Sequence, residues 1–357
     1  MAQDPLNPEE VYLLAQLLEK WEKDDDAKLV IFKGAGRAFC AGGDLRMFYE
    51  GRSVEELLMS GVILLADDSC LEVVYRMYWL CYHIHTYKKT MVALVHGIVM
   101  GGGGAMVVPL KFSVVTEKAV FAVPEASIGL HTDCSFSYIL SRLPGYLGEY
   151  LALTGARLNG KEMVAAGLAT HFVPSEKLQE LEKRLLSLDS GDEDKVRLVI
   201  EEFSAAVQPD EESVLNKLST INKCFCGDSV EEIIKSFESE ASIEGNEWIA
   251  AVLKGLKRSS PTGLTITLRS IREGRKQTLA ECLKKEFGLT MNLLRSAISG
   301  DVYEWNPSTL EEVTNENVDL VFQPFSAELA LKIPAEESCR WDGKYENSVY
   351  PSLKEKN

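Results

Sequence analysis

Four consecutive glycines at residues 101–104 constrain this chain more than any other feature. They follow an apolar segment, residues 91–95, whose length and β-branched content predict a buried strand. They lead into Ala105-Met106-Val107-Val108, where the pattern predicts the start of a helix. Because glycine has no side chain to screen its N–H group, the run predicts bare backbone donors that can face a ligand oxygen.

Two acidic residues follow this segment at a short distance. Residues 112–116 and 120–123 are strand candidates, and Pro124 comes directly after them. Glu125 and Asp133 are the only acids between Val120 and Ser137. They are therefore the candidate acid–base groups of this part of the chain.

Composition excludes several classes of partner. The 357 residues are 46% hydrophobic and can bury a sizeable core. The chain has 38 basic against 54 acidic residues, a formal charge of −16, whereas nucleic acids and anionic membranes require a basic surface. We therefore expect no nucleic-acid partner, while a small anionic ligand would need a few local cations.

Cysteine usage and the termini predict an intracellular protein. The eight cysteines have no framework spacing, so reduced thiols are the simpler interpretation, and neither cysteines nor histidines have the spacing of metal ligands. The N-terminus has no export signal, and no apolar run reaches the roughly 18 to 20 residues that a membrane span needs. We expect no metal, no membrane association and a cytoplasmic location by default.

Periodicity predicts an α/β fold with a helical C-terminal region. Helices are predicted at residues 8–21, 71–85, 140–153 and 160–169, alternating with short strands such as residues 28–33. A polar hinge at residues 188–194 precedes a part in which helical patterns dominate: 196–207, 211–221, 230–241, 247–256 and 279–299. We therefore expect a core at residues 1–187 and a helical region with a tail at residues 188–357.

Three ordered motifs carry a family resemblance. GRAFCAGGDL (residues 36–45), VHGIVMGGG (residues 95–103) and FAVPEASIGL (residues 121–130) followed by Asp133 resemble the enoyl-CoA hydratase/isomerase (crotonase) superfamily. The match is closer to its 3-hydroxyisobutyryl-CoA hydrolase branch, because an acid follows Pro124-Glu125 by eight residues. Residues 151–178 and 254–264 extend the similarity.

The resemblance implies a crotonase-like ββα spiral core, acyl-CoA substrates and the hydrolysis of a short-chain thioester, 3-hydroxyisobutyryl-CoA of valine degradation above all. It implies no cofactor beyond the CoA of the substrate. It leaves a homo-oligomer open, and a mitochondrial or peroxisomal location besides the cytoplasm. Compared with the family, the N-terminal strand pair is expected to be missing from residues 1–187.

The resemblance also assigns the site residues. Two backbone N–H groups would stabilise the oxyanion of the thioester, and Glu125 would act as base or nucleophile, with Asp133 orienting it or moving the proton. The assigned residues are Ala41 and Gly102 for the oxyanion hole, Glu125 and Asp133 for catalysis, and Gly42, Asp44, Leu45, Gly101 and Met77 for substrate binding.

Two alternatives stay open at the level of sequence. Hydratases of the superfamily carry a second glutamate where this chain has Ala105, so hydration is disfavoured, but an isomerase or another acyl-CoA enzyme can use a single acid. The other alternative is a catalytically weakened protein with this fold that acts in binding or assembly. Release of free CoA distinguishes these hypotheses.

Overall fold

The computed structural model describes residues 8–43, 69–295, 308–325, 329–334 and 340–341. These residues fall into two compact units, each assembled from segments that are distant in sequence. The described residues of Met1–Phe121, Leu158–Pro209 and Leu331–Asn357 form the first unit, and those of Ala122–Arg157 and Asp210–Ala330 form the second. The division at residues 187 and 188 stays a prediction about domain organisation.

Short strands and helices alternate along the described chain up to β8, and only helices follow it, so the predicted α/β class is confirmed. The strands are Val30–Lys33 (β1), Ala38–Cys40 (β2), Met91–Val95 (β3), Ile98–Met100 (β4), Phe112–Val115 (β5), Val120–Ala122 (β6), Leu158–Asn159 (β7) and His171–Phe172 (β8). The α-helices are Pro8–Lys23 (α1), Ser69–His85 (α2), Gly102–Ala105 (α3), Phe136–Leu140 (α4), Leu147–Thr154 (α5), Gly160–Ala165 (α6), Ser175–Leu186 (α7), Glu193–Phe203 (α8), Leu218–Cys224 (α9), Val230–Glu240 (α10), Ile249–Leu256 (α11), Pro261–Gly274 (α12), Leu279–Arg295 (α13) and Asn315–Val321 (α14). Three 3-10 helices span Glu125–Ile128, Val214–Lys217 and Leu310–Glu312.

Two four-stranded sheets organise the strands. The first has the order β1-β3-β5-β8, and its pairings are parallel, with Val30 beside Met91 and Val92 beside Phe112. The second has the order β2-β4-β6-β7, with β2 parallel to β4 and β6 antiparallel to β7. All five residues of β3 are buried, as expected for an inner strand of a parallel sheet.

The core of the first unit lies between the first sheet and a helix pair. Helices α7 and α8 contact each other and turn their apolar stripes inward. One buried cluster joins β3 and β5 to these helices through Val92, Leu94, Phe112, Val114, Val173, Leu181, Leu185, Val196, Val199 and Ile200. The helix that follows the polar hinge therefore completes the core of the first unit.

Helices dominate the second unit. Helix α12 contacts α4, α5 and the 3-10 helix Glu125–Ile128, and α13 contacts α4 and α14. Local signals explain where α12 begins, since Ser260 accepts a hydrogen bond from the N–H of Gly263 and Pro261 occupies the first turn. Among the described helices, none combines the length and apolar character that a bilayer crossing requires.

Two predicted helices have different bounds in the structure. The helix predicted at residues 140–153 is wrong as one element, because Pro144 and Gly145 separate α4 from α5 and Gly145 has a φ of +59°. The helix predicted at residues 211–221 begins instead as the 3-10 helix Val214–Lys217. Helices α7, α12 and α14 were not predicted.

Truncation of Phe112 tests the core of the first unit. Phe112 is fully buried, so we expect Phe112→Ala to lower the free energy of unfolding by about 3–5 kcal/mol, through lost transfer energy and the cavity left behind. Leu186→Ala is the control, because Leu186 is 69% exposed and its truncation should change stability by less than about 0.5 kcal/mol. Urea unfolding measures both variants, and similar losses would contradict this description of the core.

Candidate active site

Two glycine-rich turns meet at the ends of two paired strands in the first unit. Strands β2 and β4 are parallel, and Cys40 lies beside Val99. Since parallel strands end at the same edge of a sheet, the residues after Cys40 and after Met100 emerge side by side. The first turn contains Ala41 and Gly42, and the second opens helix α3 at Gly102.

Contacts between the backbones show how closely the turns approach. A Cβ placed on Gly42 would lie 3.4 Å from the carbonyl oxygen of Met100 and 4.0 Å from the amide nitrogen of Gly102. A Cβ on Gly103 would lie 2.5 Å from the carbonyl oxygen of Cys40, a distance that no side chain tolerates. Gly42 and Gly101 also have positive φ angles of 101° and 51°. Glycine is therefore required here by geometry.

The structure thus brings together four of the predicted site residues, Ala41, Gly42, Gly101 and Gly102, within the first unit. Ala41 is exposed and Gly102 is half-buried, so a ligand can approach this edge of the sheet. Asp44 and Leu45, also predicted to bind substrate, lie outside the described residues. The role of these two turns as an oxyanion hole stays a prediction.

Met77, predicted to bind substrate, is half-buried on α2 of the first unit. The guanidinium of the neighbouring Arg76 pairs with Glu72 at 2.6 Å and lies 4.3 Å from the ring centre of Tyr12. The ammonium of Lys89 donates to the carbonyl of Trp21 in the last turn of α1 and to the carbonyls of Asp24 and Ala27 just after it. Lys89 therefore stabilises the end of α1.

Glu125 begins the 3-10 helix Glu125–Ile128 of the second unit, directly after Pro124. Its side chain is only 7% exposed, and among the described residues its Oε2 is buried and has no hydrogen-bond partner. Ser127 fixes the turn by donating to the carbonyl of Pro124 at 2.6 Å. A buried carboxylate oxygen without a partner is costly, and such groups occur mostly where chemistry requires them.

Asp133 precedes an unusual turn. Cys134 and Ser135 both lie in the left-handed region, with φ angles of 55° and 75°, and α4 begins at the next residue. The thiol of Cys134 lies 3.4 Å from Oδ2 of Asp133. Two successive non-glycine residues in this region are strained, so the surrounding structure must hold them in place.

Helices α12 and α13 hold this turn, and sequence reasoning missed their contribution. Thr267 of α12 accepts a hydrogen bond from the N–H of Thr132 at 3.2 Å. Glu286 of α13 accepts from the N–H groups of Ser135 at 2.7 Å and Ser137 at 2.8 Å. One signal was available, since Glu286 interrupts an apolar helical stripe formed by Cys282, Leu283, Phe287 and Leu289.

Burial and like charges determine the electrostatics of this part of the second unit. Burial raises the pKa of Glu125 well above its ordinary value, and the charges of Asp133 and Glu286 raise it further. Burial also raises the pKa of Glu286 to about 7, although the hydrogen bonds from Ser137 and Ser135 oppose it. Burial lowers the pKa of the His131 imidazole. Its Nε2 atom forms a hydrogen bond of 2.9 Å with the hydroxyl of Thr290. A carboxylate with a raised pKa is suited to act as a base near neutral pH.

No group of three or more His, Cys, Asp or Glu side chains in the described part of the chain is arranged to hold a metal ion. Six cysteines of that part are free thiols.

The family is established by comparison with known proteins. The family model described as enoyl-CoA hydratase/isomerase matches residues 2–322, so the chain belongs to this family. The crystal structure of a carnitinyl-CoA dehydratase from Mycobacterium thermoresistibile superimposes with a TM-score of 0.81 at 30% identity, covering 94% of each chain. The predicted crotonase-like fold is therefore confirmed.

Curated relatives cover nearly the whole chain. The 3-hydroxyisobutyryl-CoA hydrolase-like protein 5 of Arabidopsis thaliana is 62% identical over 98% of this chain and 91% of its own length. The 3-hydroxyisobutyryl-CoA hydrolase 1 of the same plant is 40% identical over 90% and 86%. The small ribosomal subunit protein mS47, also from Arabidopsis thaliana, is 40% identical over 90% and 80%. Relatives at equal identity thus carry the names of an enzyme and of a ribosomal protein.

Removal of the Glu125 charge should change how stability depends on pH. A carboxyl whose pKa is higher in the folded than in the unfolded state holds its proton more tightly when folded, so its stabilising effect is lost as the pH rises from 4.5 through the raised pKa. We therefore expect Glu125→Gln to gain stability relative to the unmodified protein as the pH rises above 4.5.

Urea unfolding across a pH series measures this difference. Glu231→Gln is the matched control for the substitution, because Glu231 is exposed on α10 of the same unit. A pH dependence for Glu125→Gln no larger than that for Glu231→Gln would show that Glu125 titrates like an exposed carboxyl.

Proposed function

We propose that this protein is an acyl-CoA thioester hydrolase that converts 3-hydroxyisobutyryl-CoA and water to 3-hydroxyisobutyrate and CoA. The observation that carries the proposal is Glu125, a buried carboxylate with an unsatisfied oxygen and a raised pKa. The relatives named as 3-hydroxyisobutyryl-CoA hydrolases support the choice of reaction. The CoA belongs to the substrate, and the proposed reaction requires neither a metal nor a further cofactor.

The proposed chemistry divides between backbone and side chains. Attack on the thioester carbon moves negative charge onto the carbonyl oxygen, which the N–H groups of Ala41 and Gly102 would stabilise. Glu125 in its ionised form would take a proton from the water that attacks the carbon, or would attack the carbon itself to form an anhydride that water then hydrolyses. In either form the C–S bond breaks and CoA leaves, and Asp133 would orient Glu125 or move the proton to the departing thiolate. Both forms of the step need Glu125 without its proton, so the rate should rise with pH through the pKa of Glu125.

Ala105 argues against hydration of a double bond. Its position at the end of α3 is fully buried, and the resemblance places there the second glutamate of hydratases. An alanine cannot donate or accept the proton of such a reaction. An enoyl-CoA isomerase remains the alternative enzyme, because one acid suffices for that reaction.

The relative named small ribosomal subunit protein mS47 favours a second candidate function, assembly without turnover. A protein of that kind would keep the buried turns of the fold and would release no thiol. We also propose that this protein binds acyl-CoA as its substrate. We propose further that the protein forms a homo-oligomer. Its location stays a prediction.

A thiol-release assay with 3-hydroxyisobutyryl-CoA and other short acyl-CoA thioesters tests the function. We expect release of CoA, and a loss of kcat of about 100- to 10,000-fold in Glu125→Gln because the base is removed. Glu231→Gln should retain full activity. Unchanged turnover in Glu125→Gln would overturn its assignment, and double-bond migration in an enoyl-CoA without thiol release would favour the isomerase. CoA binding without any turnover would favour the assembly protein.

Gly103→Ala tests the proposed role of the glycine turns. The new Cβ would lie 2.5 Å from the carbonyl oxygen and 2.8 Å from the Cβ of Cys40, so the turns must separate and the amide of Gly102 must move. We expect kcat to fall by about 100-fold or more, the effect of losing an oxyanion donor. In Gly288→Ala the new methyl group meets no atom within 4 Å, and this control should keep its activity. Equal activities would exclude these turns from catalysis.

A further inference from the structure

Glu286 is a buried carboxylate for which the proposed chemistry has no direct use. It lies on α13, its side chain is fully buried, and its two oxygens have separate partners. Oε2 accepts from the N–H of Ser135 at 2.7 Å, and Oε1 accepts from the N–H of Ser137 at 2.8 Å. Both oxygens act as acceptors, which is the arrangement that an ionised carboxylate provides.

The amide of Ser135 belongs to the turn that follows Asp133, and the amide of Ser137 lies in the first turn of α4. The turn contains the left-handed residues Cys134 and Ser135, each in a conformation that costs free energy outside glycine. Such a conformation persists only where other contacts enforce it. Glu286 supplies two charge-assisted hydrogen bonds at this point, so the strained backbone directly after Asp133 is fastened to helix α13.

We propose that Glu286 is a positioning residue, which fixes the carboxylate of Asp133 in relation to Glu125 by holding the amides of Ser135 and Ser137. This inference rests on the proposed function, since it assigns Glu286 a role in the same hydrolysis. Glu286 acts through Asp133 and does not contact the substrate. The hydrogen bonds to two neighbouring amides restrict both the position and the direction of the turn.

Glu286 also acts on Glu125 through charge. Burial and then Asp133 are the larger causes of the raised pKa of Glu125, and the charge of Glu286 adds to them. Of the nearby cations, Lys285 interacts with Glu286 through charge and donates to Ser270 and Gln277, while Arg142 donates to the carbonyls of Gly274 and Gln277. The other titratable side chains described on α13 and near it are Glu281, Cys282 and Lys284 on α13, Tyr138 on α4, Arg269, Arg272 and Glu273 on α12, Glu316 and Asp319 on α14, and His131. The shifts of Cys282 and His131 favour their neutral forms, and Asp319 pairs with Arg269.

Two variants separate position from charge. Glu286→Gln removes the charge and retains nearly the same shape, whereas Glu286→Asp retains the charge and shortens the reach to the two amides. Glu281→Gln is the matched control, because Glu281 lies on the same helix and its carboxylate is exposed. For each full-length variant, thiol release gives kcat, KM and the pH profile, and thermal unfolding checks that the protein is folded.

If Glu286 positions Asp133, the two variants should share a loss of kcat and differ in their pH profiles. Both should lose kcat by roughly 100-fold with little change in KM, because a small displacement of a catalytic group slows the chemical step. In Glu286→Gln the acidic limb of the pH profile should also move to lower pH, because the loss of a like charge lowers the pKa of Glu125. In Glu286→Asp the limb should stay in place, and Glu281→Gln should match the unmodified protein in kcat, KM and the pH profile.

A merely structural role of Glu286 would give another outcome. Both variants would then unfold at lower temperature while the folded protein kept its kcat and its acidic limb, and this result would overturn the inference. Hydrogen–deuterium exchange of residues 133–137 provides a measurement that needs no turnover. Faster exchange of this segment in Glu286→Gln than in Glu281→Gln is expected, and equal exchange would also overturn the inference.

The exchange measurement distinguishes the failure of this inference from the failure of the proposed function. If the unmodified protein releases no thiol from any acyl-CoA, the hydrolase proposal is wrong. Faster exchange in Glu286→Gln would in that case still show that Glu286 holds the turn. If thiol is released and the Glu286 variants match the control, only the positioning role is wrong.

Discussion

The arrangement of the second unit depends on keeping a carboxylate almost entirely out of solvent. One oxygen of Glu125 has no hydrogen-bond partner within the described residues, and a buried polar atom left in this state costs about 1–3 kcal/mol. Burial raises the pKa of Glu125, and the charges of Asp133 and Glu286 raise it further. The backbone around this cluster is held by hydrogen bonds that the N–H groups of Thr132, Ser135 and Ser137 donate to Thr267 of α12 and Glu286 of α13. Glu286 therefore both holds the start of α4 and adds to the raised pKa of Glu125.

In the first unit, the two glycine turns present backbone groups without side chains. Strands β2 and β4 are only three residues long, yet their parallel pairing places two glycine turns within van der Waals contact. At Gly103 the approach is so close that the backbone and side chain of Cys40 occupy the space that a Cβ atom would need. Close approach removes side chains from the edge of the sheet, and what remains is a pair of peptide groups.

Local patterns in the sequence were sufficient for much of this structure. The strand Met91–Val95 has its predicted bounds, because a short apolar run between turn residues permits few other conformations. Glu125 and the four residues Ala41, Gly42, Gly101 and Gly102 could be proposed as site residues because motifs record local requirements, and their roles stay predictions. Glu286 was missed because its partners, Ser135 and Ser137, are about 150 residues away and only tertiary structure brings them together. Pro144 and Gly145 indicate a helix break between α4 and α5. The break was missed because the apolar periodicity continues across these two residues.

The contacts of Glu22 have a consequence for how the chain folds. Its carboxylate on α1 accepts hydrogen bonds from the guanidinium of Arg340 and the indole of Trp341, across 318 and 319 residues. During synthesis α1 leaves the ribosome long before these partners exist, so the first unit is completed only when the last segment arrives. Contacts of such sequence separation slow folding, because the entropy of closing a long loop must be overcome first. A nascent chain that stalls before Arg340 would leave the carboxylate of Glu22 without these two partners.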